Sequence, residues 1–457
     1  MKKIILSVSL LCGMALCAQA QNFYTGYFLD NYNYGHHINP SLQPETNYVG
    51  IGVNLGVDGN VGLSSLLFKG PDGTLVTGLN SSVSASEFIG ALPDKLRLGV
   101  DDNLPLISVG FRGKKGGCST IEFNLRTPAT ISVPKGAFEL LKVGSTGSTY
   151  DLSGLGADIK AYAEVAYGYS RKIGDKFTVG GKVKALVGLG SESLNVNRMD
   201  VTLGEKEWSI KADAELSGAC SMVDIPLNSE GNLDLGSAKF AGGFSPSGFG
   251  AAVDLGATFR PFKGLEISAA VTDLGAISWK TTVKGTSSST VTYTGASEEI
   301  DLVNDGGSAI GEELSGALDK LGDMLKLKGE TVSESAMQMI PVNFNVAAKY
   351  QVLPIVKVGA MANMQLYKGN TVFDGRVGAA VTPLDWLSFA ANIGTGTYGP
   401  NAGAALSVTC AVVNLFVGVE SRLGRVGSYN GLPILPLDKF YTCATAGLSI
   451  TFGKRQK

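Results

Sequence analysis

Of 457 residues, 61 are glycine and only 17% are charged, against roughly 7% glycine and 25% charged residues in soluble proteins. That balance disfavours a typical cytosolic enzyme, while 44% apolar residues and a net charge of −2 exclude a disordered chain and leave no basic surplus for nucleic acid. The length suits two or three ordinary domains or one large architecture, and the composition favours the latter.

Lys2 and Lys3, an apolar stretch from Ile4 to Cys17, and Ala18-Gln19-Ala20 read as an export signal at residues 1–20, cleaved after Ala20. The stretch is shorter than the ~20 residues of a bilayer-crossing helix, and bulky Leu16 disfavours a lipid anchor on Cys17. Four cysteines remain, Cys118, Cys220, Cys410 and Cys443, without metal-site spacing. They read as single small residues that an oxidising compartment permits, without requiring, to pair. Residues 21–47 are rich in Tyr and Asn and hold His36, His37 and the turn-like Asn39-Pro40-Ser41. This segment either enters the following domain as a plug or extends as a disordered tail.

Beyond it no run reaches 18 apolar residues, which excludes helical spans. Strands of a membrane barrel leave a different trace, because lipid-facing and lumen-facing side chains alternate. Val49, Ile51, Val53, Leu55 and Val57 show it, and so do Ile121, Phe123 and Leu125 against Glu122, Asn124 and Arg126. The period returns in 159–169, 177–189, 249–259, 265–271, 342–350, 356–366 and finally 440–452. Six tight turns separate such runs, at 113–117, 171–176, 260–264, 351–354, 382–385 and 410–413, whereas 58–103, 127–158, 191–248, 275–341 and 423–439 are long connections. Each turn joins two strands, so six turns with the first and last strands predict fourteen, an all-β antiparallel transmembrane barrel spanning 48–452 with a periplasmic tail at 453–457. Phe111, Tyr169, Phe259 and Tyr350 precede turns on the apolar face and predict an aromatic girdle there. Apolar residues spaced by three and four from Ile310 to Leu325 predict an amphipathic helix over 308–328.

The inward positions mix charge signs: Asn54, Glu122, Asn124, Arg126, Lys160, Glu164, Lys182, Lys184, Asp254 and Arg260. Ion pairs in a filled interior fit them better than an open selective pore. His36 and His37 are the only histidines, both before the barrel, so no catalytic base or nucleophile is assigned. On an extended chain the two would point opposite ways. They are therefore read as polar plug residues with Asn39 and Pro40, and neither a metal nor a cofactor is assigned.

Gly35-His-His-Ile-Asn-Pro-Ser-Leu42, the glycine-rich first strand, and Val253-Asp-Leu-Gly-Ala-Thr-Phe-Arg-Pro261 leading to Ala270-Val-Thr-Asp-Leu-Gly-Ala-Ile-Ser-Trp279 resemble a family of Bacteroidetes outer-membrane β-barrels of unknown function. That family is similar in architecture to the fourteen-strand long-chain fatty acid transporter (FadL-like) superfamily, whose members carry an N-terminal plug. The resemblance implies an outer-membrane location in a Gram-negative bacterium and passive transport of a small hydrophobic ligand, with membrane lipid as the barrel's surroundings. The alternative is a structural barrel whose long loops dock an envelope or secretion protein.

Overall fold

Lipid-imposed alternation produces a closed wall. The computed structural model describes residues 23–453 apart from 72–74, 114–115, 145–146, 205–206, 221–222, 225, 234–238, 241–244, 295–326, 368–369 and 430–431. The wall strands are β1 (Asn47–Gly59), β2 (Lys95–Arg112), β3 (Gly117–Arg126), β4 (Gly156–Ile173), β5 (Phe177–Leu203), β6 (Gly248–Phe259) and β7 (Leu265–Thr294). They continue with β8 (Val342–Leu353), β9 (Val356–Tyr367), β10 (Asn370–Leu384), β11 (Leu387–Gly396), β12 (Gly399–Cys410), β13 (Val413–Arg422) and β14 (Phe440–Phe452). Consecutive strands pair antiparallel, and β14 returns to β1 in the register Asn47↔Phe452 to Gly59↔Phe440. Closure leaves the fourteen-strand wall without an open edge. All six predicted turns join wall strands.

Outward side chains are apolar and bare: Ile51 is 54% exposed, Leu255 56% and Ile393 62%, whereas inward Glu122 and Asp254 are each 1% exposed. Water would not tolerate so continuous an apolar surface, and hydrocarbon matches it. No described helix is long and apolar enough to cross a membrane; this protein crosses with strands, as an outer-membrane barrel of the Gram-negative type. Phe111, Tyr169 and Tyr350 stand exposed on the outer face near the turns. Phe259 is half-buried because it stacks on Phe177 at 4.6 Å between ring centroids.

The long connections carry more strand than the sequence suggested. β5 has 27 residues and β7 has 30, where about 9–11 cross a bilayer. Their excess rises past the membrane, with Glu207–Ala219 inserted between the two ends and Lys328–Met339 on the far side of β7. In β5 the apolar phase flips from even numbers (Leu194, Val196) to odd (Met199, Val201, Leu203), and there the pairing skips from Val196↔Ala214 to Arg198↔Asp213. A bulge of this kind breaks the period-two trace. Of the helix predicted over 308–328, residues 308–326 lie outside the described residues and Lys328 opens a strand.

With Ala129–Pro134, α1 (Ala85–Ala91) and α2 (Lys135–Val143), these extensions enclose a second core that includes Phe88, Phe138, Leu140, Leu152, Met199, Ile210 and Leu216. Ser84 starts α1 by accepting the Glu87 N–H at 3.2 Å. The protein thus caps its outer end with an ordinary hydrophobic core beyond the lipid. Cys118, Cys220, Cys410 and Cys443 form no disulfide among the described residues.

Candidate functional site: the enclosed N-terminal segment

Residues 23–46 lie against the inner face of the wall. Two 3-10 turns, Tyr24–Tyr27 and Gly35–His37, fold the chain back on itself. A side-chain turn follows, in which Asn39 Oδ1 accepts the Ser41 N–H at 2.9 Å and the Ser41 hydroxyl at 2.7 Å. Asn39 then donates to the carbonyls of Ala257 and Ala269 at 3.4 and 3.3 Å, and Ser41 meets Thr258 at 2.7 Å. Phe23, Tyr24, Tyr27, Phe28, Tyr34 and Ile38 are each at most 2% exposed. They pack on Ala347, Met361, Ala380, Ala390, Ala405 and Phe416 of the wall. Tyr32 meets Phe416 edge-on at 5.0 Å.

Inward glycines make room for this segment. A Cβ built on Gly180 would stand 2.2 Å from the Pro40 carbonyl oxygen, and one on Gly418 would stand 2.1 Å from the Phe23 ring. At these positions glycine marks a seat for the segment.

Three groups of charges flank it. The first gathers around Glu122 on β3. Because Gly35–His37 is a 3-10 turn and not an extended run, the two imidazoles lie together, with ring centroids 4.8 Å apart. His37 Nε2 and Lys182 Nζ each approach a Glu122 oxygen at 2.5 Å. His36 meets Tyr48 Oη at 2.6 Å through Nε2 and Lys182 Nζ at 3.3 Å through Nδ1, and Tyr48 meets Ser108 at 2.8 Å. Burial pushes the His36 imidazole well below its usual range, so it is neutral. The ligating atoms of His36, His37 and Glu122 lie within 4.8 Å of one another, the spacing of a metal centre. The Lys182 ammonium occupies one Glu122 oxygen and faces the free imidazole nitrogen, so the group is built as an ion-pair latch and would repel a cation.

The second group centres on Lys184, with Asp273 at 2.5 Å and Asp254 at 3.0 Å, while Arg126 stands 3.7 Å from Asp273. The third joins Arg376 to Glu420 at 2.5 Å. Glu420 also accepts the Thr25 hydroxyl at 2.6 Å and pairs with the Thr25 N–H, and Arg376 lies over the Tyr24 ring at 5.3 Å. Such pairs are inexpensive to keep only when complete, since a lone buried charge is strongly destabilising.

Of the predicted interior residues, Glu122, Arg126 and Asp254 are buried in these groups. Asn54 is half-buried beside Cys443, whose Sγ is 3.3 Å away. Arg260 sits apart, near the turn end, donating to Glu266 at 2.6 Å and Thr178 at 3.0 Å. Sequence reasoning missed Thr25, Asp30, Asp273, Arg376 and Glu420. For Arg376 and Glu420 the inward parity of β10 and β13 was the available signal.

A family model described as "Family of unknown function (DUF5723)" matches residues 40–420. A search among curated proteins finds no match. Among solved structures the chain is similar to the toluene transporter TbuX of Ralstonia pickettii, at TM-score 0.47 and 8% identity over 96% of this chain and 97% of that one. It is similar to the toluene transporter TodX of Pseudomonas putida, at 0.44 and 9% over 95% and 98%. A Pseudomonas aeruginosa FadL homologue aligns at 0.44 and 11% over 95% and 100%.

Proposed function

We propose, for a chain that belongs to the DUF5723 family of unknown function, passive transport through an outer-membrane barrel that residues 23–46 close at rest as a plug, the cargo being a small hydrophobic molecule. The interface between plug and wall carries this reading. Aromatic side chains face alanine, methionine and glycine, so a plug that shifts uncovers an apolar strip running from Ala347 through Met361, Ala380 and Ala390 to Ala405. Asn345, Ser388 and Asn392 beside the strip bond to the seated plug, and on the strip itself a hydrophobic solute exchanges water for a matching surface. The Lys184 charges remain satisfied among wall residues when the plug leaves. His36 and His37 are both committed to the latch, which supports a non-enzymatic role.

Deleting residues 22–46 while keeping the signal raises single-channel conductance in planar bilayers and speeds uptake of N-phenyl-1-naphthylamine into proteoliposomes. A deletion barrel that folds, shown by its heat-modifiable migration, yet keeps the wild-type conductance and uptake would reject the plug and favour a structural barrel.

A further inference from the structure

Where the plug returns to the turn end of the wall, a cavity of about 420 Å³ remains between them. Its charged lining is lopsided. Arg112, Lys172, Arg260, Lys349 and Lys357 supply five cations, all from inward positions next to turns, against the carboxylates of Asp30, Glu45 and Glu266. Asp30 is taken by Lys357 at 2.5 Å. Glu266 serves two cations, Arg260 at 2.6 Å and Lys349 at 3.7 Å. Lys172 has no ion-pair partner among the described residues, and the charges acting on it are Arg112 and Arg260, both of its own sign.

We infer that this cavity is a binding site for a phosphate monoester. The surplus of two positive charges matches a group carrying about −1.5 to −2 at neutral pH. Arg112 gives an N–H to the Pro44 carbonyl, and Arg260 gives one each to Thr178 and Glu266, so a phosphate would be held by donors these five-N–H guanidiniums have left over, with Lys172 as a mobile point charge. The Thr178 hydroxyl lines the same space as a neutral donor, while the Gln43 amide already donates to the Gly116 carbonyl and to Ser170, each at 3.1 Å, and the Gln351 amide to the Pro354 carbonyl at 3.1 Å. The volume exceeds what a bare phosphate fills, leaving room for a small organic body. Such a group reaches the cavity either on a soluble metabolite or as the headgroup of a lipid in the inner leaflet, at the level of the aromatic girdle.

The site is independent of whether the barrel conducts, and binding alone tests it. Full-length protein in nanodiscs is titrated calorimetrically with glycerol 3-phosphate, and in parallel is reconstituted with phosphatidic acid and examined by native mass spectrometry for retained lipid. Lys172→Gln weakens glycerol 3-phosphate at least tenfold, or abolishes lipid retention, while Lys172→Arg keeps the wild-type value. Lys263→Gln, in the same turn region but outside the lining, also leaves it unchanged. Binding of the soluble ester identifies a metabolite site, and retention of phosphatidic acid alone identifies a headgroup site; both support the phosphate chemistry. Failure of wild type to hold either probe, or equal losses in the Lys172→Gln and Lys263→Gln proteins, overturns it.

Discussion

Replacing Gly180 with alanine perturbs the plug without touching the lipid face. The added Cβ would lie 2.2 Å from the Pro40 carbonyl oxygen, 2.4 Å from its carbon and 2.6 Å from the Ser41 nitrogen, all backbone atoms. No rotamer change relieves such a contact, so the Asn39–Ser41 turn must retreat by about 1 Å, and strain spreads through a close-packed interior. Retreat stretches the Ser41–Thr258 bond of 2.7 Å and the already long Asn39 bonds to Ala257 and Ala269. Overpacking of this size costs about 1–3 kcal/mol, which multiplies the undocked population roughly five- to 150-fold. Hydrogen–deuterium exchange of a 35–46 peptide in nanodiscs reports that population directly. It quickens by this factor in Gly180→Ala while peptides from β5 and β6 keep their rates. Gly181→Ala is the matched control, because its Cβ would meet Asp254 and Leu255 no closer than 3.6 Å. Equal exchange in the Gly180→Ala and wild-type proteins would refute the seating argument.

Leu255→Arg places a charge in lipid and costs about 2–4 kcal/mol near the midplane; reversible unfolding in lipid measures it, and an equal loss from the isosteric charge of Asn54→Asp at an inward position would contradict the parity. Glu122→Gln strands the buried Lys182 ammonium and costs about 3–5 kcal/mol, most of which Glu122→Gln/Lys182→Met restores, read as the urea midpoint in lipid. Burial opposes ionisation of Asp30, yet Lys357 at 2.5 Å and the Thr382 hydroxyl at 2.8 Å prevail and hold its carboxyl below the usual 3.8. That contribution to docking is complete above pH 3.8 and disappears as acidification passes the lowered value, so the labelling of plug amides, corrected for intrinsic exchange, rises only below about pH 4. Asp30→Asn removes this acid step, and its persistence in that variant would place the titrating group elsewhere.

The wall was legible because lipid imposes parity on runs such as Val49 to Val57 and Phe249 to Phe259, and because Pro261 and Pro383 stand beside turns, Pro383 where the register skips from Val381 to Leu384. Above the membrane that constraint ends, and the bulge near Asn197 reverses the phase of β5, so the extensions read as loops. The latch was hidden for a conformational reason. Hydrogen bonds from His37 and Ile38 to the Tyr34 and Gly35 carbonyls, each 3.0 Å, tighten the histidine pair into a turn. An extended chain would separate the two rings. Parity places Arg376 and Glu420 on the inner face, but their pairing depends on barrel curvature, which no local pattern encodes.

The seam carries a consequence for assembly. β1 and β14 are nearly the full length of the chain apart, yet thirteen residue pairs join them, and contacts so distant in sequence form slowly. The plug directly precedes β1 and lies against strands from β5 and β6 around to β13. Once the seam has zipped, the wall encloses it. Residues 23–46 touch strands far apart in the ribbon, so when they dock before closure their aromatic surface draws the alanine-lined strands inward and helps bring the two free edges into register, whereas a barrel lacking them closes through the β1–β14 ladder alone.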